Sequence, residues 1–245
     1  MMQPTSELYG ALQAAYEHFN SSLFDGKLPQ VIFTAQRQKG VMGYFSPERW
    51  VSKHGKTCHE IAINPTYVGK SALIEVFQTL VHEQCHLLQF CYGQPGRRGY
   101  HNKEWADMME AVGLMPSTTG RPGGKKTGEK MSDYPIPGGR FLKECDSLVS
   151  GGRFDLPWVD RFAQGCSLPV PELVQAYDLP STSAVKLTTA VVEFFDKESF
   201  VLPEEMKDSR NKVKYSCPGC GVNVWGKPAL SIKCGPCDLE FGEIN

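Results

Sequence analysis

The sequence has no apolar run of about 18 residues, no large excess of charge and no internal repeat. Without such an apolar run, a membrane-spanning helix is not expected. A formal net charge of -1 argues against a protein that is basic throughout and seeks polyanions as a whole. Residues 1–9 have no basic segment ahead of an apolar one, so a secretory signal peptide is not expected either.

The composition is that of an ordinary globular protein. Hydrophobic residues make up 41% and charged residues 22% of the 245 residues. These fractions exclude a fully disordered chain, a collagen-like chain and a coiled coil, and the length suggests one or two domains. Nine cysteines without a signal peptide favour free thiols and a metal site in a reducing compartment. We therefore expect a cytoplasmic protein, nucleoid-associated if it is bacterial.

The apolar periodicity predicts several elements in the first half of the chain. They are helices over 6–24, 71–92 and 102–112, and short strands over 31–33, 41–45 and 60–63. Asn102 suits a helix N-cap and Gly113 a helix end. The following segments have weaker patterns. We expect a basic, Gly/Pro-rich flexible loop over 117–139 and an acidic segment of unknown topology over 140–210.

Residues 82–86 spell His-Glu-Gln-Cys-His, an HExxH motif within the strongest predicted helix. Positions i and i+4 share a helix face, so His82 and His86 can direct their imidazoles at one ion. Glu83 lies one residue on, close enough to reach a water beside that ion, as in zinc hydrolases. The alternative is a pair of solvent-exposed helix histidines, which the strongly apolar flanks of the motif disfavour.

A catalytic zinc site normally has three protein ligands and one open position, so a third ligand is required. His101 is the best candidate, because the glycines and the proline after residue 92 allow the chain to turn back before the next helix. Glu104 or Asp107 could instead supply an oxygen ligand. The remaining histidines are weaker candidates, namely His18, His54 and His59.

The chemistry expected of this site follows from the ion. Zinc lowers the pKa of a water toward neutrality and polarises a carbonyl group. Glu83 would take the proton of the water and pass it to the leaving amine. The residue that stabilises the oxyanion is not identifiable from the sequence, although three tyrosines are possible donors, namely Tyr44, Tyr92 and Tyr100.

Two CxxC pairs lie near the C-terminus. They consist of Cys217, Cys220, Cys234 and Cys237. Pairs at this separation are typical of a four-cysteine zinc site in a zinc ribbon, which we place over 211–245. Such a site is closed, so its expected role is folding. We expect residues 222–225 and 229–233 to form the hairpin between the pairs.

Several segments together resemble the SprT-like family of zinc metalloproteases, which includes the Spartan-type DNA-dependent proteases. The matching segments are Phe19-Asn20, Leu23-Phe24, 26–29, Gly43-Tyr44-Phe45 with Trp50, 60–65, 79–86 and 101–105. They span about residues 7–115, and residues 215–241 are similar to the zinc ribbon of many bacterial members. Within HExxH, Cys85 stands where the family has a small or apolar residue.

This resemblance implies an α+β, zincin-like metalloprotease domain over 1–116, built from a helix, a short sheet, the metal helix and its partner. It implies His82, His86 and His101 as zinc ligands and Glu83 as catalytic base. With the ribbon, the chain would hold two zinc ions. The family also implies substrates that are proteins bound or crosslinked to DNA, with DNA stimulating cleavage.

Three functions follow from the sequence: a DNA-associated metalloprotease, a metalloprotease unrelated to DNA, and a DNA-binding or scaffold module with structural zinc. Basic residues in and before the predicted loop favour the first, because lysine and arginine neutralise phosphates. They are Arg97, Arg98, Arg121, Lys125, Lys126 and Lys130. A solvated linker explains the loop residues equally well. An intact Glu83 argues against the third function.

Overall fold

The computed structural model of the chain describes residues 3–151, 154–163, 181–195 and 212–244. Its internal contacts divide the chain into two units, residues 1–200 and residues 201–245. Within the described ranges, no helix combines the length and the apolar character needed to cross a membrane.

The first unit is a mixed α/β structure. Its elements are α1 (Pro4–Leu23), β1 (Ile32–Ala35), β2 (Gly43–Val51), β3 (Thr57–Ile63), the single turn α2 (Pro65–Val68), α3 (Leu73–Tyr92), α4 (Lys103–Val112), β4 (Leu114–Ser117), β5 (Ser132–Pro135), α5 (Arg140–Ser150), α6 (Ser181–Thr188) and a 3₁₀ turn (Val191–Phe194). The three helices and three strands predicted before residue 113 are all present. Strand β2 differs most from its prediction, because it extends to Val51.

A three-stranded sheet has the order β1-β3-β2. Strand β3 is parallel to β1 and antiparallel to β2, with Phe45 opposite Ile61. The register shifts between Ser46 and Trp50, so the outer half of β2 continues past an irregularity. Strand β2 therefore forms one edge of the sheet, and its inner half lies beside α3.

Aromatic side chains pack α1 against α3 and the sheet. The ring centroids of Phe19 and Phe77 lie 5.4 Å apart, and those of Tyr16 and Phe33 lie 5.8 Å apart. Both pairs have the edge-to-face geometry that aromatic rings favour. Asn20 holds the chain after α1, because its amide donates to the carbonyl of Leu28 and accepts from the backbone N–H of Leu28. These contacts fix α3, which carries the HExxH motif.

Both ends of α4 are as the sequence predicts. The Asn102 side chain accepts a hydrogen bond from the backbone N–H of Trp105 at 3.0 Å. Gly113 ends the helix with φ 96°, a left-handed conformation that suits glycine. A Cβ at residue 113 would lie 2.7 Å from the backbone nitrogen of Phe141, so the close approach of α5 also requires glycine there.

The prediction of a flexible loop over 117–139 is wrong in part. Residues 132–135 form β5, which pairs antiparallel with β4 so that Ser117 lies opposite Ser132. The expected boundary at residue 140 also fails, because α5 buries one face in the first unit and Phe141 stacks near Phe19 at 6.0 Å. Much of the predicted acidic segment lies outside the described residues, as does Cys166.

The second unit contains a small antiparallel sheet. Its strands are β6 (Val213–Ser216), β7 (Asn223–Gly226) and β8 (Gly242–Ile244), in the order β7-β6-β8. Tyr215 is buried at the centre, and its hydroxyl donates to the Lys227 carbonyl at 2.6 Å. The predicted hairpin between residues 222–225 and 229–233 is wrong, because β7 pairs with β6 instead. Residues 229–233 contribute only an isolated bridge between Lys233 and Glu240.

Candidate metal centres

Three histidines converge in the first unit. His82 and His86 lie one turn apart on α3, with ring centroids 5.1 Å apart, and His101 comes from the loop before α4. One ring nitrogen from each lies within 4.8 Å of those of the other two. The Nε2 atoms of His86 and His101 are only 3.1 Å apart. The structure therefore brings together the three histidines that the sequence analysis selected.

One indole packs against all three imidazoles. Trp105 is fully buried, and its ring centroid lies 4.4 Å from that of His101, 4.9 Å from that of His82 and 5.2 Å from that of His86. Its backbone is held by the Asn102 cap at the start of α4. Because α4 begins directly after His101, the same cap also fixes where the third histidine enters the cluster.

The outer nitrogens of two histidines have protein partners. His82 Nδ1 lies 2.9 Å from Oδ2 of Asp133 on β5, and His101 Nδ1 lies 3.1 Å from the carbonyl oxygen of Gly128. Residues 101 and 128 also exchange backbone hydrogen bonds of 2.8 and 3.1 Å. With Nδ1 engaged in this way, Nε2 is the nitrogen that each of these two rings can offer to a metal ion, and that of His101 lies 3.1 Å from His86 Nε2.

The Glu83 side chain is buried beside this cluster. Only 6% of the residue is exposed. Burial raises the pKa of the carboxyl group, while the neighbouring His82 and a hydrogen bond from the Phe45 backbone N–H oppose that change. A carboxyl group with a raised pKa is a better proton acceptor at neutral pH than an exposed glutamate.

Burial and mutual repulsion affect the three imidazoles differently. Burial lowers the pKa of His101 to about 4, and burial together with the neighbouring histidines lowers the pKa of His86 well below its usual value. Burial also lowers the pKa of His82, but the Asp133 hydrogen bond and the nearby Glu83 outweigh it, so the net shift is upward. Two neutral imidazoles and a third with a carboxylate partner suit a cation at their centre.

The acidic alternatives for the third ligand are engaged elsewhere. Glu104 accepts hydrogen bonds from the Gln89 side chain and from the Gln94 backbone, each at 2.7 Å. Asp107 forms an ion pair with Lys103 at 2.7 Å. Neither belongs to the group of potential metal ligands around His82 in the described part of the chain.

The other histidines also lie outside the cluster. His18 on α1 contacts the Glu144 carboxylate at 3.4 Å. His59 Nδ1 accepts the Glu48 backbone N–H at 3.0 Å. His54 is exposed in the turn between β2 and β3.

Two of the three tyrosines considered as oxyanion donors use their hydroxyl groups elsewhere, and the third packs its ring against an arginine. The Tyr92 hydroxyl donates to the carbonyl of Lys27 at 2.8 Å. Burial and the nearby Glu60 raise the pKa of Tyr44, whose hydroxyl is hydrogen-bonded to that carboxylate. Tyr100 lies under the guanidinium group of Arg97, 5.3 Å from its ring centroid.

The predicted basic residues do not behave as one group. Arg97 pairs with Glu129 at 2.6 Å, and Lys126 pairs with Glu110 at 2.8 Å. The other four are exposed and form no ion pair with any described residue, namely Arg98, Arg121, Lys125 and Lys130. Three of these four residues lie in the connection between β4 and β5.

The second unit contains the other candidate centre. The four predicted cysteines place their Sγ atoms within 4.8 Å of one another, and Cys220 and Cys234 are separated by 3.7 Å. Backbone N–H groups of Cys220 and Gly219 donate to Cys217, and they lower its pKa to about 7. Four thiol groups this close together, with N–H donors directed at one sulfur, are compatible with a zinc site formed by four cysteines.

Sequence reasoning missed two contacts of the histidine cluster, those from Asp133 and Gly128. Asp133 is 51 positions from its partner His82, and it lies in a segment that is rich in glycine, threonine and proline. Neither residue belongs to a recognisable motif. Tertiary contacts bring them to the cluster: the pairing of β4 with β5, the Gln78–Asp133 hydrogen bond and the backbone pair between residues 101 and 128.

Comparison with known proteins identifies the family of the first part of the chain. The sequence model of the SprT-like family matches residues 12–122, a range that includes the three histidines and Glu83. An "Uncharacterized protein in mucB 3'region" of Salmonella typhimurium is 46% identical over 59 residues, which is 24% of this chain and 80% of that protein. No solved structure matches at a significant level. The chain belongs to the SprT-like family, as its motifs predicted.

Proposed function

We propose that the protein is a zinc-dependent endopeptidase. The observation that carries the proposal is the convergence of three imidazole nitrogens beside the buried carboxyl group of Glu83. Membership of the SprT-like family supports it. The helix, sheet, metal helix and partner helix are also arranged in the order expected of a zincin-like domain.

The residues present fit a zinc ion. Imidazole nitrogen is intermediate between hard and soft ligands, and zinc binds it readily. Three protein ligands leave one coordination position open. The Oδ1 atom of Asp133 is buried and finds no hydrogen-bond partner among the described residues. A carboxylate in that condition is costly unless positive charge lies close by, and a dication held by His82 would supply it.

His82, His86 and His101 would hold the ion, which would supply Lewis-acid activation of a peptide carbonyl and lower the pKa of a water. Glu83 would accept the proton of the attacking water and return it to the amine that leaves. Burial and the hydrogen bond from the Phe45 backbone N–H hold the carboxyl group of Glu83, the residue that follows His82. Burial also limits access of bulk water to this proton.

For the four-cysteine cluster we propose a second, structural zinc ion. All four ligands come from the chain, so no position remains for a substrate. Its role is to stabilise the fold of the second unit.

For the substrate we propose proteins that are bound or crosslinked to DNA. The exposed basic residues after β4 support this class, since lysine and arginine on a surface segment can neutralise phosphates. Arg98 precedes His101 by only three residues and would place a further cation beside the catalytic cluster. A metalloprotease that acts independently of DNA is the alternative.

Zinc-dependent hydrolysis is the first expected result. The full chain should cleave casein, lose this activity on chelation and recover it when zinc is returned, because the three histidines have no catalytic use without the ion. Gel electrophoresis of the digest over time measures the cleavage. His86→Ala is the matched variant, and zinc should not restore its activity. Cleavage that persists in His86→Ala, or in metal-free protein, would contradict the proposal.

DNA binding should be weak and dependent on salt. Gel-shift titrations with single- and double-stranded DNA at several salt concentrations measure the slope of log affinity against log salt. Replacing Lys125 and Lys130 together by glutamine should weaken binding and reduce the slope by about 1 for each lost phosphate contact. Lys103→Gln, which removes an exposed lysine already paired with Asp107, is the control. No binding, or no response to salt, would favour the DNA-independent protease.

A further inference from the structure

Asp133 is placed by the fold against the first histidine of the motif. It lies on β5, is 6% exposed, and directs Oδ2 to within 2.9 Å of His82 Nδ1. The Gln78 side chain of α3 donates to the backbone carbonyl of Asp133 at 2.7 Å. This second contact ties the strand to the metal helix one turn before His82, so Asp133 is held through its backbone as well as through its carboxylate.

We propose that Asp133 is a positioning residue for zinc binding, acting through His82; this inference rests on the proposed function. By accepting the Nδ1 proton, the carboxylate selects the tautomer in which the Nε2 lone pair faces the cluster. It also fixes the rotation of the ring. Carboxylate partners of this kind raise the donor strength of a ligating histidine, and their loss typically weakens metal binding by about 10- to 100-fold.

The surroundings of Asp133 favour this role over a purely structural one. Within the described ranges, its only ion-pair partner is His82, and no lysine or arginine compensates its buried charge. Its second oxygen is buried without a partner among the same residues. A carboxylate that only stabilised the fold would be expected to have more hydrogen bonds, whereas one that supports a metal ligand gains its compensation from the ion.

The connection that carries Asp133 also supports the third histidine. Gly128 accepts from His101 Nδ1 at 3.1 Å and pairs with the backbone of residue 101. Both supporting residues follow residue 122, where the match to the family ends. The β4–β5 hairpin and its connection are therefore part of the zinc site of this chain, although the ligands themselves lie before it.

Chelator competition on the full chain tests the inference. Wild-type protein should release zinc in two steps, and His86→Ala identifies the step that belongs to the histidine cluster. In Asp133→Ala this step should shift to about 10- to 100-fold weaker affinity, and the step of the cysteine cluster should not move. Asp133→Asn preserves the shape of the side chain and one oxygen acceptor, so its zinc affinity at the histidine cluster should lie between those of the wild type and Asp133→Ala. Asp107→Asn, the same chemical change at an exposed position of α4, is the control and should match the wild type.

A spectroscopic measurement separates positioning from general stability. In the zinc-loaded wild type, the Nδ1 proton of His82 should exchange slowly with solvent and give an NMR signal. This signal should be lost in Asp133→Ala, while the amide spectrum remains that of a folded protein. Unchanged zinc affinity together with a retained Nδ1 signal would overturn the role of Asp133. Wild-type protein that binds zinc only at the cysteines would instead overturn the proposed function, and this inference with it.

Discussion

Glu83→Gln is expected to lower casein hydrolysis by about 10²- to 10⁴-fold, the usual contribution of a general base. Glutamine keeps the size of the side chain and can still accept the Phe45 N–H through its carbonyl oxygen, but it cannot accept a proton from water at neutral pH. The three histidines are unchanged, so the zinc content should stay at the wild-type value. Initial rates and metal analysis of the same preparations measure both quantities.

Glu17→Gln is the matched control, because Glu17 is an exposed residue of α1 whose side chain accepts a hydrogen bond from the nearby Gln13 and from no other residue that the structure describes. It should hydrolyse casein at the wild-type rate. Wild-type rates in Glu83→Gln would remove Glu83 from the mechanism. Equal inactivity of the wild type and the variant, with two zinc ions bound to each, would favour the scaffold module whose zinc is structural.

The strongly periodic elements of the first unit could be predicted because local chemistry determines them. The start of α3 differs from its prediction by two residues, and α4 begins after its Asn102 cap and ends at Gly113. The β4–β5 hairpin could not be predicted, because its strands have four residues each and contain proline. Its place depends on tertiary contacts such as the Gln78–Asp133 hydrogen bond, which joins residues 55 positions apart.

The same distinction applies to the two clusters. Helix geometry places His82 and His86 on one face without any knowledge of the fold, and the CxxC spacing does the same for the cysteines. His101 was selected because the chain could turn there, and Trp105 provides the surface on which it lies. Asp133 and Gly128 have no such local signal, since a carboxylate or a carbonyl near a metal ligand is recognisable only from its position in space.

Cys217→Ala is expected to remove one zinc ion per chain and to unfold the sheet of the second unit. Within residues 212–244, the buried hydrophobic residues are only Tyr215, Cys217 and Cys234. A core of this size cannot offset the conformational entropy of the strands, so on the proposed zinc site we expect metal–thiolate bonds to supply most of the folding free energy. Metal analysis and the dispersion of the Tyr215 and Trp225 NMR signals measure the two effects.

The first unit should retain its zinc and its activity on casein in Cys217→Ala, because all three histidines and Glu83 lie within residues 1–200. Cys58→Ala, which alters a cysteine of β3 outside both clusters, should keep two zinc ions and a folded second unit. Two zinc ions in Cys217→Ala would show that the cysteine cluster is not a four-ligand site. A folded, metal-free second unit would mean that its sheet is stabilised by contacts other than those around Tyr215.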